Sequence, residues 1–172
     1  MLFDLILVFV LITCFITDLK YQKIYNKVIF PSLIVSLLLH FIFYGYIGLK
    51  SSLLGFVVGF GILLIPYFSG GIGAGDVKLL ALIGAIKGST FVFNTALYMA
   101  VIGGIMALVV ILYHKDSLKF FKELFLWIIS LLHGIKYKLE LPTSPLLKKY
   151  PYGLAIVGGA VICLISKGAW IV

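Results

Sequence analysis

The sequence predicts an all-α, polytopic membrane protein: six transmembrane helices and an interfacial amphipathic helix on the cytoplasmic side. Three observations lead there. Of 172 residues, 63% are hydrophobic and only 12% charged, with a mean hydropathy of +1.22; soluble domains carry about 45–50% apolar and about 25% charged residues. Apolar runs near or above the length of a bilayer crossing recur along the chain. These runs are solidly apolar and lack the alternation of a membrane barrel, so helices must satisfy their backbone groups in hydrocarbon. The same apolar content excludes disorder. A single domain over residues 1–172 is expected.

The first run, Leu2–Thr17, has no Lys or Arg before it and no small-residue cleavage site, so it reads as a retained helix rather than a secretory signal. Val28–Tyr44 and Leu53–Phe68 follow. Val77–Ile86 is short and needs part of the preceding glycine-rich stretch at membrane depth. Phe91–Tyr113 and Tyr152–Ile171 complete the six. Between the last two, Leu118–His133 has an uninterrupted apolar core of only Leu124–Leu132, preceded by Lys119, Lys122 and Glu123. That suits a helix lying in the headgroups. Glycines at four-residue spacing, Gly55/Gly59 and Gly84/Gly88, predict close helix packing.

All 14 basic residues are lysines, against six acids. They sit mainly between the apolar runs, where orientation and anionic lipid account for them without a nucleic-acid partner. With six spans, eleven fall on one side: Lys20, Lys23, Lys27, Lys78 and the seven in the 114–149 connection. The other side receives Lys50, Lys87 and Lys167. The lysine-rich side is therefore cytoplasmic, in the cell (inner) membrane, and both termini lie outside. Cys14 and Cys163 read as buried apolar residues. His40, His114 and His133 are scattered, so no metal site and no cofactor is expected.

Acids inside a membrane segment are costly, and each needs an account. Asp4 sits at an end predicted to reach water, and Asp116, Glu123 and Glu140 lie in the long lysine-rich connection. Asp18 closes the first span and Asp76 opens the fourth, so this topology brings both to the same depth on the cytoplasmic side. Two carboxyls held together at low dielectric cannot both ionise easily. One then takes a proton from water while the other donates to a scissile carbonyl and later protonates the leaving amine. Two other readings remain open: hydrated helix-end residues, with Asp76 as a helix N-cap, or a proton or cation pathway. Gly70-Gly71-Ile72-Gly73-Ala74-Gly75 precedes Asp76. Four glycines would cost a helix roughly 1 kcal/mol each relative to Ala, but an irregular segment there can hold an extended peptide beside the acid. A phosphate-binding loop is disfavoured, since no Lys-Ser/Thr ending follows.

Gly73-x-Gly75-Asp76-x-Lys78-Leu79 resembles the GxGDxKL motif of the type IV prepilin peptidases, membrane aspartic proteases also called class III signal peptidases. Asp18, followed by Ile24-Tyr25-Asn26, resembles their first catalytic segment, with Tyr25 where Pro is usual. Pro151-Tyr152-Gly153 resembles their Pro-Phe/Tyr-Gly element at the start of the last span. The resemblance implies that Asp18 and Asp76 are the catalytic pair. The implied substrate is a prepilin-like protein whose short basic leader is cut, usually after Gly, at the cytoplasmic membrane face. It also implies the short form, without a methyltransferase domain, that serves Flp/Tad pili, competence pseudopili or archaeal flagellins. Gly73 and Gly75 would then allow close substrate approach, while Asn26, Pro151, Tyr152 and Gly153 shape the cytoplasmic mouth. Tyr152 fits an interfacial belt equally well. Lys78, turned to a different helix face from Asp76, is read as meeting lipid phosphate before substrate. The rivals are a presenilin-like GxGD protease and a small ion- or proton-handling protein using the same acids.

Overall fold

The computed structural model describes residues 2–21, 23–113 and 152–166. The helix expected over Leu118–His133 and the expected site residue Pro151 lie outside them. The described residues form helices without strands: α1 (Leu2–Tyr21), α2 (Asn26–Phe68), α3 (Ala74–Lys87), α4 (Ser89–Tyr113) and α5 (Tyr152–Ile165). Three of them, α1, α2 and α4, are long and apolar enough to cross a membrane, and α3 and α5 are shorter. The chain divides into two compact units, Met1–Gly103 with Tyr150–Val172, and Gly104–Lys149. All packing described below belongs to the first.

The second and third apolar runs share one element because α2 folds back on itself. At Gly45 the backbone leaves the helix with φ 61° and ψ −147°, a conformation essentially confined to glycine. Ser36 and Ser52 lie on opposite sides of this break, yet both hydroxyls donate to the Ala85 carbonyl of α3, at 3.0 Å and 2.6 Å. In a straight helix their Cα atoms would be ~24 Å apart. The two arms therefore straddle α3. At its far end α2 is stopped by Gly70, at φ 76°. The Gly70 amide donates to Tyr67 and the Gly71 amide to Pro66, the paired bonds of a Schellman ending.

The shortest apolar run proves to be the innermost helix. Every residue from Leu79 to Ile86 of α3 is buried, as expected of a helix that is apolar all round. It packs against α1, α2 and α5. Backbones touch where side chains are missing: a Cβ at Gly55 would strike the Gly84 carbonyl, and one at Gly84 the Gly55 carbonyl. Gly59 packs as closely, its Cβ position lying 2.5 Å from the Leu80 carbonyl. Gly88, expected in the same packing pattern, lies 3.0 Å by its carbonyl carbon from the Cβ position of Gly55 and also ends α3 at φ 88°.

Lys87, the last residue of α3, pairs with Asp4 in the first turn of α1 at 2.8 Å. The two helices therefore run antiparallel. The C-terminal end of α1 and the N-terminal end of α3, which carry Asp18 and Asp76, come together at the opposite end of the bundle.

Candidate active site

Three segments distant in sequence meet at that end. The first is the last turn of α1 with the irregular residues 23–25 that follow it. Asp18 in this turn is only 6% exposed. Its carboxylate faces the Leu154 backbone amide at the start of α5, and its Oδ2 is buried without a hydrogen-bond partner. Tyr25, standing in the usual Pro position, takes φ −83° and ψ 128° as the N-cap of α2. That extended backbone is close to what Pro itself adopts, so the turn keeps its course with a tyrosine.

The second segment is the start of α3. The N-cap is Gly73, not Asp76. Asp76 sits at the third helical position and its Oδ2 accepts the Gly73 amide at 3.3 Å, half of a capping box. The N-cap alternative is thus corrected by one turn: Asp76 reaches back to satisfy the helix start and remains half-buried. Asp18 and Asp76 lie within electrostatic reach of each other. Gly73 and Gly75, expected to make room for substrate, make room within the chain. A Cβ at Gly73 would sit 3.1 Å from Asp76 Oδ2, and one at Gly75 would sit 3.0 Å from the Ile24 Cβ.

The third segment opens α5. A Cβ at Gly153 would fall 2.6 Å from Asp18 Oδ2 and 2.8 Å from its Cγ, so the helix backbone rests directly on the carboxylate. Tyr152, at the first position of α5, is half-buried.

Lys78, expected to meet lipid phosphate, has partners within the chain. Its Nζ donates to Asn26 Oδ1 at 3.0 Å and lies 5.7 Å from the centre of the Phe30 ring, a cation–π distance. Thus Asn26 and Lys78, expected as separate supporting residues, are partners. Phe30 and Leu154 were not anticipated. Phe30 had a signal, because it follows Asn26 by four residues on a helix and must share its face. Leu154 contributes only its backbone amide, which no side-chain pattern reveals. Among the described residues no three His, Cys, Asp or Glu side chains gather into a ligand set.

Comparison with known protein families matches residues 5–108 to the type IV leader peptidase family. The matched region carries Asp18 and Asp76 and stops short of α5. No curated protein and no solved structure matches the chain at a significant level.

Proposed function

Because this chain belongs to the type IV leader peptidase family, we propose that it is an intramembrane aspartic endopeptidase with Asp18 and Asp76 as its acid–base pair. It removes the short basic leader of a prepilin-like protein, after Gly, at the cytoplasmic face of the cell membrane. One observation carries this reading: two acids from separate helices converge at one end of the bundle, and one keeps a buried oxygen without a partner. In this reading α1, the two arms of α2, α3, α4 and α5 serve as six spans, and the lysine distribution supports an aspartate end that faces inside. The short α3 is tolerated because protein, not lipid, surrounds it.

The chemistry needs one proton between two carboxyls. The ionised one takes a proton from water, and the resulting oxygen nucleophile attacks the scissile carbonyl carbon. The protonated one hydrogen-bonds the carbonyl oxygen as negative charge develops there. Collapse of the tetrahedral intermediate breaks the C–N bond, and a proton passes to the leaving amine. Water ends up divided between the new carboxylate and the new amine, and the pair returns to its starting charge. Which aspartate begins as the acid is a property of the pair and not of either residue alone.

The test is co-expression with a pilin-type substrate whose basic leader ends in Gly, with loss of the leader followed by mass spectrometry. Asp18→Asn and Asp76→Asn are each expected to abolish processing while membrane insertion persists. Cleavage by either variant at the parental rate would overturn the assignment. An ion- or proton-handling protein would leave the leader intact even with both aspartates present.

A further inference from the structure

Lys78 stands two residues beyond Asp76, where a free ammonium would be drawn to either carboxylate. The side chain turns away. Asn26 accepts from it and Phe30 lies under it, both from the first turns of α2. Next to this contact, Ile24 fills the space left by Gly75. The two contacts bind the connection after α1 to the start of α3, the very segments that end in Asp18 and begin with Asp76. An amide oxygen is well suited here: it satisfies the ammonium without the counter-charge that a carboxylate partner would bring beside the acid pair.

We propose that Lys78 is a positioning residue for the reaction. With Asn26 and Phe30 it clasps the α1–α2 connection to α3, sets the separation of the two aspartates, and holds its own charge away from them. The proposal rests on the protease reading and gives Lys78 a role within it that involves neither lipid nor substrate. A misplacement of about 1 Å at a reacting pair lowers turnover by about 100-fold, so a clasp remote from the scissile bond acts on kcat and leaves KM unchanged.

The experiment is a double-mutant cycle on the purified full-length protein, with a prepilin-type peptide as substrate. Lys78→Met and Asn26→Leu are each expected to lower kcat about 10- to 100-fold with KM within about twofold. The double variant should be no worse than the poorer single one. Asn26→Asp, which offers an acceptor of the same shape, should recover part of the activity lost in Asn26→Leu. Multiplying losses, or a loss in Lys78→Met with none in Asn26→Leu, would overturn the clasp and show Lys78 acting by itself. The same cycle is read as thermal unfolding midpoints in an Asp76→Asn background, where cleavage plays no part. Coupled midpoints, together with parental protein that leaves the prepilin-type peptide uncut, would reject the protease reading while leaving the contact intact. Uncoupled midpoints would reject the clasp whatever the protein cleaves.

Discussion

At the scale of single residues, Asp18 owes its position to a side chain that Gly153 lacks. The carboxylate rests against the first turn of α5, with Oδ2 2.6 Å from the point where a Cβ would stand. Neither backbone nor carboxylate yields such space cheaply, so Gly153→Ala must rotate Asp18 or push α5 outward. Leader removal by Gly153→Ala is expected to fall at least about tenfold in kcat, measured as initial rates. Membrane insertion should be unaffected. Gly61→Ala is the control: nothing lies within 4 Å of its Cβ position, and parental rates are expected. The glycine of a Pro-Tyr-Gly string can be read from the residues, and so can two aspartates at matching depth. That the glycine exists to admit Asp18 cannot be read so, because the contact joins residues from opposite ends of the chain.

At the scale of elements, the apolar runs located the helices well and their boundaries less well. Val28–Tyr44 and Leu53–Phe68 are the two arms of α2, joined at Gly45 with no long connection between them. Hydropathy places a gap between Tyr44 and Leu53, but a single backbone conformation at Gly45 makes the turn, so the helix resumes through Lys50, Ser51 and Ser52 where a connection was expected. Central α3 illustrates the opposite case. Its length made it the weakest span, yet it is the most buried helix in the bundle. Its seam with α2 depends on the Gly55/Gly84 contact. Gly84→Leu should force the backbones apart, costing about 1–3 kcal/mol or more, and lower the unfolding midpoint of the detergent-solubilised protein by several degrees. Gly84→Leu in a Gly55→Leu background should cost less than the sum of the two, since the first substitution already opens the seam.

At the scale of the whole molecule, charge sets direction. The Asp4–Lys87 pair marks one end of the bundle, and Lys78 with Asn26 marks the aspartate end. In the proposed reading the latter faces the cytoplasm, on the strength of the lysine count. In a protein with both native cysteines replaced by Ala, Lys50→Cys should label in intact cells with an impermeant maleimide. Lys23→Cys should label only after permeabilisation. Both positions are exposed, whereas Cys14 and Cys163 are buried. The reverse pattern would put the acids on the wrong side for a cytoplasmic leader.

Residue order was enough for the helical class, for apolar helices of membrane-crossing length and for expecting Asp18 and Asp76 at one end of them. Hydrocarbon forces each segment to pair its own backbone, and a rise of about 1.5 Å per residue converts sequence position into depth. Rotation about each helix axis was not legible. The apolar residues of α3 and α4 surround their axes almost evenly, so no polar stripe indicates which face turns inward. Only packing in three dimensions decided that α3 is central, that Lys78 meets Asn26, and that Gly153 lies against Asp18, because each depends on close contacts between segments far apart along the chain.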